Sequence, residues 1–210
     1  MKPAFMSPGG ETRTYTSPLR QRQADQTRVL ILQALTEQLA EDGLNEFNIP
    51  RVARRAGVSV RTVYRYFPTR EALLDALQIW IDERILDTPC PKTSDELIFL
   101  PVAQFRQFDI HVPLVLAQIA SPAGLEVQAR GRRKRLEAYR SALKEVTGHL
   151  SEEETRAALA VVSRLFRSTT WKDFRKEFGM TGEESGRAVS WALRTLIEDL
   201  RRRNEAARGR

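Results

Sequence analysis

Cysteine and histidine are scarce in this sequence. Cys90 is the only cysteine, and His111 and His149 are the only histidines among 210 residues. A single cysteine excludes an intrachain disulfide framework and is compatible with a reducing cytoplasm. The spacing of these three residues fits neither a structural zinc site nor a Cys-His nucleophile pair. We therefore expect no metal and no cofactor.

Long apolar runs are also missing. No stretch approaches the roughly 18 consecutive apolar residues that a transmembrane helix needs. The start, MKPAFMSPGGETRTYTSP, lacks the apolar segment of a signal peptide. No G-x-x-x-x-G-K phosphate loop is present, and no carboxylates are paired in a way that suggests catalysis. These absences predict a cytoplasmic protein that does not contact the membrane and is not an enzyme.

Positive charge, in contrast, is abundant and unevenly distributed. The chain carries a formal net charge of +7, and residues 1–70 hold 11 Lys and Arg against 6 acidic residues, a net of +5. Residues 51–70, RVARRAGVSVRTVYRYFPTR, contain six arginines and no acidic residue. Such an excess indicates an acidic partner, and nucleic acid is one of the usual candidates.

The apolar spacing predicts an all-α fold of about nine helices, with no alternating strand pattern. A first helix starts near Asp25 and ends at Gly43, and capping boxes at Ser151 and Thr181 begin two late helices. We expect a flexible basic arm at residues 1–22, a helix-turn-helix domain at 23–70, a helical effector-binding and dimerisation domain at 71–204, and a disordered tail at 205–210.

The stretch 51–70 contains two short helices joined by a glycine turn. Asn48 caps the first helix and Ser59 the second, while Gly57 allows a left-handed backbone conformation between them. This is the helix-turn-helix pattern, in which the first residues of the second helix lie nearest the bases of the major groove. Those residues are Ser59, Val60, Arg61 and Thr62.

Residues 31–74, and IPRVARRAGVSVRTVYRYFPTREALL in particular, resemble the DNA-binding domain of TetR-family transcriptional repressors. The resemblance implies that Arg61 and Thr62 read bases, and that Tyr64, Tyr66 and Arg70 contact phosphates. Asn48 would be a helix cap that also meets a phosphate. Val60 and Arg61 depart from the family pattern, so the operator sequence cannot be inferred from that of a relative.

The remaining arginines of the stretch allow two interpretations. Arg65 is a candidate for a phosphate contact, whereas Arg51 either touches the DNA backbone or stays solvated. Charge runs on helices are often only solvated faces, and the two tyrosines could instead cover the edge of the core. The absence of acidic residues, the glycine turn and the family resemblance together favour DNA binding.

The C-terminal helices suggest two further sites, and both suggestions depend on apolar residues at helical spacing. Residues with this pattern belong to the core more often than to a binding site. The resemblance implies a homodimer formed by the last two predicted helices. A mixture of apolar and few polar side chains suggests a pocket for a small-molecule effector. The predicted pocket comprises Phe99, Phe105, Phe108, His111, Leu114, Phe166, Thr169 and Trp171. The predicted dimer interface comprises Leu159, Val162, Phe166, Val189, Leu193, Leu196 and Leu200, with Trp191 on the same stripe.

The cluster RGRRKR at 130–135 is expected to be a solvated surface, although an acidic effector or partner is an alternative. Together these features predict a homodimeric repressor that an effector releases from a palindromic operator in double-stranded DNA. The alternatives are an architectural protein that binds DNA without sequence preference, and a regulator with no small-molecule effector. The family resemblance places the protein in a bacterial cytoplasm.

Overall fold

The computed structural model describes residues 18–42, 48–85, 87 and 89–209. These residues form ten α-helices and no strand, so the all-α prediction is confirmed. The helices are α1 Pro18–Asp42, α2 Ile49–Arg55, α3 Val60–Tyr66, α4 Arg70–Trp80, α5 Ser94–Ile110, α6 Val112–Ala120, α7 Pro122–Thr147, α8 Glu152–Leu165, α9 Ser168–Phe178 and α10 Gly182–Arg208. None of the helices in the described part of the chain is long and apolar enough to cross a membrane.

Helix α1 begins at Pro18, earlier than the start near Asp25 that the apolar spacing predicted. Its first turns are polar and exposed, and contain glutamine and arginine, which are good helix formers without an apolar periodicity. Residues 18–22, predicted to belong to the flexible arm, are therefore helical. Gly43, the predicted cap of this helix, lies outside the described residues.

Helix α4 joins the N-terminal helices to the rest of the chain. Thr69 caps its first turn by accepting a hydrogen bond from the Ala72 N–H at 3.1 Å, and a π-helical turn, Ile81–Ile85, continues it. Leu74, Leu77 and Ile81 are fully buried on one side of this element. The helix thus belongs to a core that both halves of the chain share.

The C-terminal half is built around close packing between α5 and α10. A Cβ atom on Gly186 would lie 2.6 Å from the Cα of Val102 and 2.9 Å from the carbonyl oxygen of Pro101. Real Cβ atoms do not approach other atoms so closely, so only glycine permits this helix contact. The capping boxes predicted at Ser151 with Glu154 and at Thr181 with Glu184 are both present.

Two features of the C-terminal half differ from the prediction. Helix α9 is a tenth helix beyond the predicted nine, because the chain breaks at Phe166 and Arg167 between α8 and α9. Helix α10 continues to Arg208, so residues 205–208, predicted as part of a disordered tail, are helical. Polar contacts hold this end, where Asn204 Oδ1 accepts a hydrogen bond from the His149 N–H at 2.7 Å.

Candidate nucleic-acid interface and internal cavity

The turn between α2 and α3 follows the geometry that the sequence predicts. Asn48 Oδ1 accepts a hydrogen bond from the Arg51 N–H at 2.9 Å, which caps α2. Gly57 has a φ of +68°, a left-handed conformation that costs glycine little. The Val58 N–H then donates to the Ala53 carbonyl at 2.9 Å and closes the turn.

Ser59 fixes the start of α3. Its hydroxyl accepts a hydrogen bond from the Thr62 N–H at 3.1 Å and lies 2.9 Å from the Thr62 hydroxyl. Val63 is buried on the inner side of α3, whereas Val60 and Arg61 are exposed on the outer side. The short helix therefore presents its N-terminal residues to solvent, on a rigid turn that packs against the core.

The structure separates the six arginines of residues 51–70 into three that pair with carboxylates, Arg51, Arg55 and Arg70, and three that pair with none among the described residues. Glu41 on α1 forms ion pairs with Arg51 at 3.1 Å and with Arg55 at 2.7 Å. Arg51, a predicted DNA contact, thus pairs with a carboxylate that lies ten residues earlier in the chain, outside the stretch 51–70. Arg54, Arg61 and Arg65 form no ion pair within the part of the chain that is described.

The two tyrosines of α3 have different environments. Tyr64 is 51% exposed, whereas Tyr66 is half-buried and packs against the hydrophobic core. The Arg65 guanidinium lies over the Tyr66 ring, 5.2 Å from its centroid. Tyr64 therefore remains available to a partner, and Tyr66 covers the core edge while it orients Arg65.

Arg70, a predicted phosphate contact, connects the N-terminal helices to α7. Its guanidinium donates to both carboxylate oxygens of Glu126, at 2.5 and 2.7 Å. Glu126 also pairs with Arg130 at 3.3 Å, and Arg130 pairs with Asp75 on α4 at 2.7 Å. Hydrogen bonds from Arg70 lower the pKa of Glu126, and Arg130 adds to this effect. Arg70 thus binds a carboxylate of its own chain in this structure.

A cavity of about 550 Å³ lies at the other end of α4. Gln78 of α4 and Asp82 of the π-helical turn line it, together with side chains from α5, α6, α7 and the junction of α8 with α9. Its volume is in the range of small-molecule sites. The apolar part of the lining consists mainly of Phe108, Leu136, Tyr139 and Phe166.

Buried and charged groups meet in the lining of this cavity. Burial raises the pKa of Asp82, while the Arg135 guanidinium at 3.4 Å opposes that shift. Burial also raises the pKa of Tyr139, whose ring packs against Phe166 with centroids 5.0 Å apart. Within the described residues, no three His, Cys, Asp or Glu side chains are grouped so as to hold a metal ion.

Two of the eight residues predicted for the effector pocket, Phe108 and Phe166, line this cavity. The apolar pattern could not separate cavity-facing side chains from core-facing ones, and the other six lie elsewhere. Phe105, Leu114 and Trp171 are buried in the core. His111 and Thr169 are half-buried at the ends of helices, and Phe99 is 65% exposed on the outer surface.

The residues predicted for the dimer interface lie mostly inside the chain itself. Leu159 and Leu196 are half-buried against the core. The other five, Val162, Phe166, Val189, Leu193 and Leu200, are at most 4% exposed. These stripes are therefore filled by the chain's own helices. Trp191, on the opposite side of α10, is 73% exposed and lies in a shallow depression with Phe99.

Sequence reasoning missed three charged residues that position the candidate site. Glu41 orients Arg51 and Arg55, and Glu126 holds Arg70. Arg28 of α1 stacks over the ring of Phe67, 4.8 Å from its centroid. Each of these partners lies at least ten residues from the side chain it contacts, so no local sequence pattern indicates the pairing.

Comparisons with known proteins agree with this arrangement. The family described as bacterial regulatory proteins, tetR family, matches residues 31–77. The chain is similar to NalD, the secondary repressor of the MexAB-OprM multidrug efflux pump in Pseudomonas aeruginosa, with a TM-score of 0.55 and 16% identity over 86% of this chain and 96% of that one. It is also similar to a transcriptional regulator from Rhodococcus sp. Rha1, with a TM-score of 0.53 and 20% identity over 82% of this chain and 96% of that one.

At these identities the two likenesses show the fold, in which a helix-turn-helix domain precedes a helical C-terminal domain. A comparison with curated proteins finds no match.

The contact between Arg70 and Glu126 predicts a pH-dependent contribution to stability. Because the pKa of Glu126 is lowered, the contact stabilises the fold above the ordinary glutamate pKa of about 4.3, and the contribution is lost as pH falls through the lowered value. Glu126→Gln should therefore reduce the free energy of unfolding at pH 7 by about 1 kcal/mol or less, since both partners are partly exposed.

Urea unfolding of both proteins at pH 7 and at pH 3 measures this effect. The difference between wild type and Glu126→Gln should be smaller at pH 3 than at pH 7, because protonation of Glu126 removes the charge that glutamine also lacks. Glu137→Gln is the matched control on the same helix, because the one ion pair of Glu137 among the described residues is with exposed Arg133 at 3.8 Å. An equal loss in the two variants at pH 7 would show that the link between α4 and α7 does not stabilise the protein.

Proposed function

The chain belongs to the TetR family of bacterial regulatory proteins, and on that premise we propose that it is a homodimeric repressor released from a palindromic operator by a small molecule. As a member of this family it is a DNA-binding transcriptional regulator and not an enzyme. The observation that carries the proposal is the exposed N-terminal end of α3, where Arg61 and Thr62 follow a capped, rigid turn.

In this proposal α3 enters the major groove and Arg61 reads a base. A bidentate contact between an arginine and a guanine contributes about 1 to 3 kcal/mol of discrimination. Arg65, Tyr64 and Arg54 contact phosphates, which hold the helix in the groove and add affinity without sequence preference. Neutralising six to ten phosphates per dimer would weaken binding by roughly 10³- to 10⁵-fold between 50 and 200 mM salt.

Release would act through α4, whose two ends contact different parts of the molecule. Arg70 at its N-terminus is bound by Glu126 of α7, and Gln78 near its C-terminus lines the cavity. A ligand in the cavity that repositions α7 would therefore move the N-terminal helices relative to the C-terminal half. A change in the spacing of the two recognition helices then lowers operator affinity, with a coupling of about 1 to 3 kcal/mol.

Two recognition helices must lie about 34 to 36 Å apart to read one face of the operator, which requires a dimer. We place the dimer contact on the outer face of α10, because Trp191 and Phe99 are large, exposed and adjacent. Exposed tryptophan is rare on monomers and frequent at the centre of protein interfaces. Arg187 and Arg194 border this patch and form the polar rim.

The base-reading role predicts different effects for two neighbouring arginines of α3. Arg61→Ala should lose the preference for one base per half-site, because the bidentate contact is removed. Arg65→Ala should weaken binding to all sequences alike, because a phosphate contact carries no sequence information. Binding selections from random DNA with wild type and both variants compare the sequence profiles. An Arg61→Ala profile identical to that of wild type would rule out the assignment.

The dimer contact predicts a strong effect of Trp191→Ala. Truncating a central interface tryptophan typically costs 2 kcal/mol or more, which raises the dimer dissociation constant by about 30-fold or more. Sedimentation equilibrium at micromolar concentration measures this shift. Phe178→Ala is the control, because Phe178 on α9 is comparably exposed at 68% but lies outside the patch. A Trp191→Ala variant as dimeric as the control would exclude this interface.

A further inference from the structure

The wall of the cavity carries an unusual number of positive groups. Helix α7 contributes Gln128, Arg132, Arg135, Leu136 and Tyr139, whose spacing of four, three, one and three residues places them on one helix face. The junction of α8 and α9 adds Arg164 and Arg167. Lys134 completes the basic lining. Three residues of the RGRRKR cluster, Arg132, Lys134 and Arg135, thus line the cavity. Arg132, Arg133 and Lys134 are also exposed to solvent, as the sequence favoured.

Three of these arginines have no carboxylate partner among the described residues. Arg135 pairs with Asp82 and donates to the Gln128 carbonyl at 2.8 Å. Arg132, Arg164 and Arg167 form no ion pair with Asp82, with any other described acidic residue, or with Glu83 and Asp87, the remaining acidic residues of the lining. Burial and repulsion from Arg164, Arg132 and Arg135 lower the pKa of Arg167. The lining thus holds five basic residues against three acidic ones, and three of its arginines form no ion pair in the described structure.

The backbone adds positive potential at the same place. Arg167 is the N-cap residue of α9, and no side chain caps this helix end. The first N–H groups of a helix have no partner within it and carry partial positive charge. A cation at a helix N-terminus is therefore unfavourable by itself, whereas an anion there is stabilised by both the arginines and the helix.

The lining also contains an unsatisfied buried acceptor and an apolar surface. Gln78 is 4% exposed, and its Oε1 atom has no hydrogen-bond partner in the described structure. A buried amide oxygen normally accepts a hydrogen bond, so a ligand with a donor group would fit it. Phe108, Phe166 and Leu136 provide apolar contacts for the body of such a ligand.

We propose that the cavity binds a small organic anion, whose acidic group lies between Arg132, Arg164 and Arg167 and whose ring system packs against Phe108 and Phe166. Arginine recognises both carboxylate and phosphate groups, because its planar guanidinium can donate paired hydrogen bonds to two of their oxygen atoms. The identification of this anion as the effector rests on the proposed function, but the binding site itself does not.

The test uses naphthyl ligands that carry either an anionic group or a neutral polar group. Isothermal titration calorimetry of the full chain with 2-naphthoate, 2-naphthyl phosphate and neutral 2-naphthamide measures the contribution of the acidic group. Arginine can bind the acidic group of either anion, and the relative affinity of the two anions shows whether the site prefers a carboxylate or a phosphate. We expect at least one anion to bind at least 10-fold more tightly than the amide.

Arg167→Gln should weaken binding of that anion by about 10- to 100-fold, because a hydrogen bond to a charged group is lost. Its melting temperature should not fall, since Arg167 forms no ion pair in the described structure. Arg133→Gln is the matched control: it removes the same charge, but Arg133 lies on α7, is 91% exposed and does not line the cavity. We expect wild-type affinity for this control.

Several outcomes would overturn the anion site. These are equal binding of amide and anions, equal affinity of the two arginine variants, or no anion binding at millimolar concentration. Operator binding, measured with DNA selected from a random pool, separates this inference from the proposed function. Anions that bind through Arg167 without weakening the DNA complex would support the anion site and contradict its role as the effector site. Release of the DNA by a neutral compound but by no anion would contradict the anion site and support regulation by a small molecule.

Discussion

Helix α4 is packed into the core along one side while its two ends contact different parts of the protein. Leu74 and Leu77 leave no exposed surface, so the helix cannot shift without disturbing the shared core. At one end Arg70 is bound by Glu126, and at the other Gln78 lines the cavity. Because one rigid element reaches both sites, a change in the cavity has a physical route to the recognition helix.

The positive charge of the chain serves different purposes at different positions. Arg51, Arg55, Arg70 and Arg130 are bound by carboxylates from other helices and connect elements of the fold. Arginines without such partners in the described structure occur at α3 and in the cavity. An overall net charge does not distinguish these roles, whereas the presence or absence of a carboxylate partner does. The arginines at α3 lie where the proposed function requires DNA, and those in the cavity lie where we propose a small organic anion.

Local sequence signals predicted the caps and the turn of the helix-turn-helix accurately. Asn48 and Ser59 cap helices as expected, and Gly57 adopts the left-handed turn. These signals succeed because a cap or turn depends on residues within three or four positions. The ion pairs of Arg51 and Arg70 escaped prediction because their partners are 10 and 56 residues away in sequence.

The C-terminal half was less predictable for a related reason. An apolar stripe identifies the buried side of a helix, but not whether that side meets its own chain, a second copy or a ligand. Val162 and Leu193 fill the chain's own core, whereas exposed Trp191 carries the stronger indication of an interface. Most residues of the cavity lining are polar or charged, so the apolar spacing identified only Phe108 and Phe166.

The central claim is that this protein recognises one DNA sequence as a dimer. Footprinting on the DNA that flanks its gene, in the presence of a large excess of nonspecific DNA, tests this claim directly. The account predicts a protected inverted repeat that survives the competitor, since specific complexes are typically 10³- to 10⁷-fold tighter than nonspecific ones. Uniform protection that disappears as competitor is added would contradict it and would identify an architectural DNA-binding protein instead.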